Sequence, residues 1–422
     1  MNSIGTVLKL VPIAIIAVGT AFIVERLERV DAPIRKETPQ RIAEDKQNLA
    51  DQHVNEQAEQ VYPNLNVVQV SLENSPEMAV WQQKWRSNII AEARNRYCDR
   101  EMGEEIGWLV SPFLNGFYYG YLATSETQWI DRLVDWTDSW IRRGVMEPDG
   151  YIGWPKVGAA GTDVDQLNSY YADSMLGEAM ALRPIVLMSG LILKDPSLKA
   201  KYGDKAESYL KLARSNFDKW EKRGAWRPAG AGMVSVVLPF GLDVKTRGWT
   251  SSYPERNLAG NGFSHQDNKA NLVAQWLLAM SDVTGDGAYR EKADDWFKLM
   301  KSRISVESDG TFKIWNYWEP AGPWDYRPDG TPKHWIGVHP NAGYYEIDVN
   351  AIVSAFEHGS VFTDEDIRRL TKTALVSGRY WFALAPYDQG VRSKFEQSLK
   401  PDGWDGLVAV PWYLSLHAHG AD

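Results

Sequence analysis

Apolar residues recur every three or four positions along most of the chain, and this spacing predicts amphipathic helices. The strongest apolar runs are Met175–Leu193, Leu272–Val283, Val349–Phe356 and Ile367–Leu384. Strands do not alternate with helices in the manner of a parallel sheet. The pattern therefore predicts a fold dominated by α-helices.

An internal repeat indicates how these helices are arranged. Residues 124–150 align without a gap on residues 284–310, with Trp136 opposite Trp296 and an Asp-Gly pair at the end of each unit. A looser copy runs from residue 193 to residue 223. Repeated helical hairpins bury their apolar faces by stacking on their neighbours. We therefore predict an all-α dominated fold, an α/α toroid of repeated helical hairpins with long groove-forming loops.

The N-terminal part of the chain has a different character. Leu10–Val24 is almost entirely apolar, yet shorter than the roughly 20 residues that a spanning helix needs. It predicts a signal peptide or membrane anchor over residues 1–25, followed by a polar linker over residues 26–75. The catalytic toroid is expected over residues 76–422. The protein would then be exported, and only its N-terminal segment would touch a membrane.

The composition narrows the possible partners. A net charge of −9 argues against a nucleic acid, although a local cluster of cations can still bind an anionic substrate. A single cysteine, Cys98, excludes an intrachain disulfide and a Cys-rich metal site. Neither an HExxH motif nor an EF-hand pattern occurs, so no metal and no cofactor is expected. The 19 tryptophans suit both a large core and flat faces that stack on sugar rings.

The segment RNLAGNGFSHQDNKAN, residues 256–271, concentrates polar groups at a predicted helix start near Gln266. Ser264 or Asn261 would cap this helix, and His265 would project from its start into a groove. Asn268 and Asn271 lie one turn apart and would share a helix face. The alternative is that these residues only cap the helix and hold a loop.

A second polar segment, HPNAGYYEID, covers residues 339–348 and precedes a helix predicted to start near Glu346. It carries His339, Asn341, Tyr344 and Tyr345. A tyrosine can act as base and acid if a nearby cation lowers its pKa from about 10. Aromatic packing at a helix start is the alternative. One of the two tyrosines, Tyr345 first, is expected to transfer protons.

Further candidates lie in long loops rich in Gly, Pro and Trp. Asn168 precedes a helical stretch and would either donate to a substrate carboxyl group or cap the helix. Lys245, Arg247 and Arg256 are candidates to pair with a uronate carboxylate, with ordinary surface charge as the alternative. Four closely spaced tryptophans are expected to form a sugar platform: Trp315, Trp318, Trp324 and Trp335.

These motifs resemble those of the α/α-toroid polysaccharide lyases, and the segments GNGFSHQDNKAN and HPNAGYYEID resemble polysaccharide lyase family 38 in particular. The resemblance implies β-elimination on an anionic polysaccharide such as alginate or glucuronan. It implies that Asn168 and Arg256, with help from His265, neutralise the substrate carboxylate. Tyr345 or Tyr344 would be both base and acid in a syn elimination, whereas His265 or His339 would be the base in an anti elimination.

Other functions on the same scaffold stay open at this stage. A glycoside hydrolase would need two carboxylates flanking the scissile bond. A C5-epimerase would share the first proton abstraction, and a membrane-tethered glycan-binding protein would need no catalytic group. The carboxylates available for a hydrolase are Asp163, Asp165, Glu319, Asp325, Glu346 and Asp348.

Overall fold

The computed structural model describes residues 76–156, 170–229, 232–243, 245–250, 262–379 and 381–418. The predicted leader and linker lie outside these residues. Helices α1 to α11 span Pro76–Glu92, Ser111–Thr124, Gln128–Arg142, Met175–Lys194, Pro196–Lys222, Asp267–Thr284, Gly287–Ser302, Gly343–Glu357, Asp364–Val376, Gln389–Ser398 and Gly406–Ala418. Short strands β1 to β7 span Val145–Met146, Ile152–Gly153, Tyr170–Tyr171, Trp226–Ala229, Gly232–Val234, Gly241–Asp243 and Trp249–Thr250.

The helices form two concentric layers. In the inner layer α2 contacts α4, α4 contacts α6, and α6 contacts α8. Residues 382–384 contact α8, and the Phe382 ring packs on Trp412 of α11 with centroids 4.8 Å apart. Helix α11 in turn packs on α2, which closes the ring. In the outer layer α1, α3, α5, α7 and α9 pack on α11, α2, α4, α6 and α8, respectively. The predicted all-α toroid of helical hairpins is thereby confirmed.

Burial explains why the two layers differ in sequence. Helix α3 carries one apolar stripe, Trp129, Leu133, Trp136 and Trp140, which faces α2 while its other side meets solvent. Helix α4 is apolar on nearly all sides because neighbours surround it. Among the described helices, α4 alone is long and apolar enough to be compared with a membrane span, and most of it is buried in the ring.

The repeat found in the sequence recurs as a structural unit. After α3, the amide of Glu147 donates to the carbonyl of Tyr151 at 2.8 Å, and Glu307 makes the same bond to Thr311 after α7. Gly150 and Gly310 occupy equivalent positions in these turns, with φ of 86° and 83°. Such positive φ values favour glycine, which explains the Asp-Gly pair at the end of each unit.

Two expectations about secondary structure need correction. The helix predicted over Ile367–Leu384 ends at Val376, because Gly378 takes a φ of 68° and turns the chain. A separate short helical turn, Phe382–Leu384, follows. The long loops also contain small antiparallel sheets, β1–β2, β3–β6–β7 and β4–β5, which the helical periodicity did not predict.

The tryptophans mainly build the core. Ten of them are fully buried: Trp85, Trp129, Trp136, Trp140, Trp154, Trp220, Trp276, Trp296, Trp318 and Trp381. Several form close ring pairs, such as Trp140 and Trp154 with centroids 4.3 Å apart. Their abundance therefore reflects how the ring is filled more than how it binds sugars.

Candidate functional site

The starts of three inner helices meet at one end of the ring. Lys269, in the first turn of α6, places its Nζ 2.8 and 3.0 Å from the two carboxylate oxygens of Glu104, which lies shortly before α2. The amide of Asp267 donates to the carbonyl of Tyr317 at 3.0 Å. The Tyr317 ring stacks on Tyr344, in the first turn of α8, with centroids 5.3 Å apart.

These side chains and their neighbours form one group, which we call the mouth cluster. It consists of Glu104, His265, Asn268, Lys269, Tyr317, His339 and Tyr344. His339 belongs to it because its ring centroid lies 4.5 Å from that of Tyr344 and 4.9 Å from that of Tyr317. Parts of both sequence motifs therefore lie together.

His265 is a buried, neutral imidazole. Its exposed fraction is 3%, and its Nε2 has no hydrogen-bond partner among the described residues. Burial, followed by the positive charge of Lys269, lowers the pKa of His265 to about 3. The ring is therefore uncharged at neutral pH and can accept a proton or a hydrogen bond from a ligand.

Asn268 is the second unusual group. It is 1% exposed, yet neither its Oδ1 nor its Nδ2 has a hydrogen-bond partner in the part of the chain that the structure describes. Leaving a buried polar group unpaired costs about 1–3 kcal/mol, so native proteins rarely do it without a reason. A polar ligand that reaches this amide would satisfy both atoms.

Asn271 does not share the surroundings of Asn268, although we predicted both on one face. Its Nδ2 donates to Asp348 at 2.7 Å, and its Oδ1 accepts from Trp296 at 2.8 Å. Burial, followed by the charge of Asp267, raises the pKa of Asp348 to about 8. Asn271 thus belongs to a closed core network below the mouth cluster.

The two tyrosines occupy different environments. Tyr345 is 1% exposed, its hydroxyl donates to the carbonyl of Trp315 at 3.4 Å, and Arg379 lies 5.4 Å from its ring centroid. Tyr344 is only partly buried. Burial raises the pKa of both tyrosines, and Glu104 raises that of Tyr344 further. Both hydroxyls are therefore protonated at neutral pH, which suits an acid better than a base.

The expected tryptophan platform is partly wrong. Trp315 and Trp318 are buried, with exposed fractions of 3% and 0%. Burial is tolerated because their Nε1 atoms donate to Asp348 and to the carbonyl of Ser264, each at 2.9 Å. Trp324 is partly buried, and Trp335 is 50% exposed. Only these last two retain surface that a sugar ring could contact.

The helix starts also differ from the prediction. The backbone amide and hydroxyl of Ser264 donate to Asp325 at 2.6 and 2.8 Å, so Ser264 does not cap α6. Helix α8 begins at Gly343 instead of near Glu346, since Asn341 Oδ1 accepts from the Gly343 amide at 2.9 Å. Asn341 therefore orders the start of α8.

The remaining basic candidates lie in another loop or outside the described residues. Lys245 and Arg247 are exposed on the turn between β6 and β7, where Arg247 lies 5.7 Å from the ring centroid of Tyr171. Arg256, Asn168, Asn261, Asp163 and Asp165 lie outside the described residues, so their roles stay predictions.

The other carboxylates proposed for a hydrolase have structural partners. Asp325 accepts from the amides of Ala321 and Gly322 in addition to Ser264. Glu319 accepts from the side chain of Asn316 at 2.6 Å. Burial, followed by the charge of Asp405, raises the pKa of Glu346 to about 7.

A second buried polar group, the α4 cluster, was not foreseen from the sequence. It contains Glu147, Asp173, Glu178, Lys219 and Arg223, which are all at most 4% exposed as residues or side chains. Lys219 Nζ contacts Asp173 at 2.5 Å and Glu178 at 2.6 Å, and Arg223 contacts Glu147 at 2.6 Å. Charged residues on an amphipathic helix normally face solvent, so α5 gave no signal of this burial.

Sequence reasoning also missed Glu104, Lys269 and Tyr317. Lys269 lies four residues after His265, and this closeness in the sequence could have pointed to it. Glu104 and Tyr317 come from distant segments that only the ring closure brings together. Within the described ranges, no group of three or more His, Cys, Asp or Glu side chains is arranged to hold a metal ion.

Comparisons with known proteins identify no family for this chain. No family model matches it, and no curated protein matches it. Among solved structures, it resembles a glycosyl hydrolase family 88 protein from Bacteroides vulgatus, with a TM-score of 0.39, 11% identity, and coverage of 81% of this chain and 85% of that one.

Two further similar structures have the same low level of identity. One is an inactive variant of an alpha-1,6-mannanase of Salegentibacter sp. HEL1_6 in complex with alpha-1,6-mannotetrose, with a TM-score of 0.37, 10% identity, and coverage of 81% and 88%. The other is a D-mannose isomerase, with a TM-score of 0.35, 11% identity, and coverage of 82% and 99%. Similarity this distant does not transfer an activity.

Proposed function

We propose that this protein is an exported carbohydrate-processing enzyme, and specifically a polysaccharide lyase that cleaves a uronic-acid polymer of the alginate or glucuronan type by β-elimination. One observation carries this proposal. A neutral histidine and an amide, His265 and Asn268, lie three residues apart at the start of α6; both are buried, and His265 Nε2 and both amide atoms lack partners among the described residues. The charge of Lys269 acts on His265. These are the groups needed to remove a proton beside a carboxylate.

In the proposed reaction, His265 Nε2 takes the proton from C5 of the uronate. The electron pair of the C5–H bond forms the C4=C5 double bond, and the C4–O glycosidic bond breaks. Tyr344 then gives its hydroxyl proton to the departing oxygen. The Asn268 amide donates to the carboxylate oxygens while negative charge builds on them, which stabilises the transition state. Asn168 and Arg256 stay candidates for the same task.

The protonation states support this division of labour. A neutral His265 is in the form required of a base, and a protonated Tyr344 is in the form required of an acid. An imidazole with a low pKa is a weak base in the free protein. A uronate carboxylate bound nearby would add a negative charge beside His265 and raise the pKa of its imidazole. Binding of the substrate would thus make His265 a stronger base.

The proposal favours Tyr344 over Tyr345, which was our first choice from the sequence. The Tyr345 hydroxyl is already directed at the Trp315 carbonyl in the core.

A hydrolase is less well supported, because Asp325 and Asp348 already accept hydrogen bonds from structural donors. The apolar segment Leu10–Val24 supports export, with the rest of the protein in the periplasm or outside the cell.

A screen of polyuronates tests this function. Alginate, polymannuronate, polyguluronate and glucuronan are each incubated with the full chain while ultraviolet absorbance and reducing ends are followed. Elimination raises both signals, because the new C4=C5 bond is conjugated with the carboxylate. A rise in reducing ends without absorbance would indicate a hydrolase. No change in either signal with any polymer would refute lyase activity on these substrates.

A further inference from the structure

The contact between Glu104 and Lys269 joins two charged side chains that are each about nine-tenths buried, with exposed fractions of 10% and 11%. Both Glu104 oxygens lie within 3.0 Å of Lys269 Nζ, and Trp108 Nε1 donates to the same carboxylate at 3.3 Å. Lysine and tryptophan thus supply a set of donors that already holds one carboxylate.

The groups beside this contact are unsatisfied. Asn268 precedes Lys269 in the first turn of α6, and its Nδ2 donor has no partner among the described residues. His265 lies four residues before Lys269, just ahead of α6, and the charge of Lys269 lowers the pKa of its imidazole after burial has done so. The unpaired amide and the imidazole thus both lie within four residues of the lysine cation. Glu104 therefore occupies the position that suits the acidic group of a ligand.

We infer that Lys269 is the cation that binds the uronate carboxylate of the substrate, and that Glu104 is a built-in competitor which this carboxylate displaces from Lys269 and Trp108. The inference rests on the proposed function, because it takes its ligand from that reaction. It assigns carboxylate binding to α6 itself, whereas Lys245 and Arg247 are exposed on the turn between β6 and β7.

Displacement has a clear physical basis. A buried lysine is stable only when it is paired, and exchanging one carboxylate for another keeps it paired throughout. A neutral sugar offers no such replacement and leaves the Glu104 contact intact. The site would therefore discriminate between acidic and neutral sugars of the same shape, since only the acidic sugar can release Glu104.

Binding measurements test the inference separately from turnover. Isothermal titration with β-1,4-linked triglucuronate is compared with cellotriose, which has the same linkage without the carboxylates. His265→Gln serves as the background variant so that the ligand is not consumed. Lys269→Met should raise the Kd for triglucuronate about 10- to 100-fold, as expected for loss of a charge-assisted contact, and should leave cellotriose unaffected.

Three further variants make the test specific. Lys269→Arg keeps the charge and should restore most of the affinity. Lys292→Met, which removes a partly buried lysine paired with Glu221 on the outer layer, should not change the Kd. Glu104→Gln removes the competitor and should tighten triglucuronate binding about 3- to 10-fold, whereas weaker binding would mean that Glu104 only positions Lys269 and would overturn the displacement.

The two hypotheses fail in different experiments. Wild-type protein that raises the absorbance, together with an unchanged Kd in Lys269→Met, would overturn the inference and leave the proposed function standing. A wild-type protein that never raises the absorbance, but binds triglucuronate through Lys269, would overturn the lyase and leave the carboxylate site standing. Melting curves confirm that each variant is folded before its Kd is compared.

Discussion

The mouth cluster and the α4 cluster are both buried and polar, but they differ in how their polar side-chain atoms are paired. In the α4 cluster, Glu178 alone accepts from Lys219, from Asn216 at 2.7 Å and from Trp220 at 2.7 Å. In the mouth cluster, His265 Nε2 and both amide atoms of Asn268 are left without partners in the described structure. The charged groups of the α4 cluster are thus paired within the fold, although Oδ1 of the neighbouring Asn216 is also without a partner in the described structure. For the mouth cluster, we propose that a ligand supplies the missing partners.

This difference separates stability from function. Burial by itself lowers the pKa of Lys219, but the charges of Asp173, Glu178 and Glu147 outweigh it and raise that pKa overall. The same network joins segments that are distant in the chain, since Lys219 also donates to the Ile152 carbonyl and Asp173 accepts from the Trp154 amide. The α4 cluster thus fastens β2 and the start of α4 to α5. We expect substitutions there to change stability and substitutions in the mouth cluster to change turnover.

The sharpest test of the comparison is removal of the proposed base. His265→Ala should lower turnover by about 10²- to 10⁴-fold, the usual contribution of a general base, with little change in melting temperature. His339→Ala is the matched control and should reduce turnover no more than His265→Ala. Steady-state kinetics on the polymer that responds in the absorbance screen measures both. A larger loss in His339→Ala would move the base to the second motif.

Removal of the central cation should break the α4 cluster instead. Lys219→Met leaves Asp173 and Glu178 buried without their main counter-charge, so the free energy of unfolding should fall by about 3–5 kcal/mol. Lys205→Met is the control, because Lys205 pairs with Asp138 at an exposed position and should cost less than about 1 kcal/mol. Urea unfolding followed by circular dichroism gives both values. Equal values for the two variants would show that the α4 cluster does not stabilise the fold.

Substitution of the two tyrosines tests which hydroxyl transfers the proton. Tyr344→Phe should reduce turnover by about 10²-fold, the lower end of the range for acid catalysis. Tyr345→Phe removes a buried hydroxyl with a long 3.4 Å hydrogen bond, so turnover should stay within a few-fold of wild type. Both are measured under saturating substrate. A reversed ranking would restore Tyr345 as the proton-transfer group and remove Tyr344 from the mechanism.

The two clusters also show which features a sequence can predict. The toroid was predictable because its signal is local: apolar spacing defines each helix, and the Asp-Gly pair of residues 149–150 marks the same turn as that of residues 309–310. His265 and Asn268 were predictable as candidates because they crowd one short motif. These signals depend only on neighbouring residues.

Contacts between distant segments were not predictable in the same way. Nothing near Glu104 in the sequence indicates that it meets Lys269, since the ring must close before the starts of α2 and α6 approach each other. Trp315 and Trp318 looked like surface residues because they lie in a loop, yet their indole N–H groups find acceptors in Asp348 and Ser264. Burial of a loop tryptophan depends on such partners, which the local sequence does not reveal.

Substitution of Asn268 should have the smallest effect, and it tests the unpaired amide most directly. Asn268→Leu replaces the unsatisfied amide with an apolar group of similar size, so the free energy of unfolding should rise by about 1–3 kcal/mol. Asn216→Leu, in the α4 cluster, removes the donor to Glu178 and should lower stability by a similar amount. Urea unfolding without ligand compares the two variants. The opposite signs are expected because Asn216 Nδ2 donates to the buried Glu178 carboxylate, whereas neither amide atom of Asn268 has a partner in the described structure. A loss of stability in Asn268→Leu would mean that its amide is satisfied within the protein.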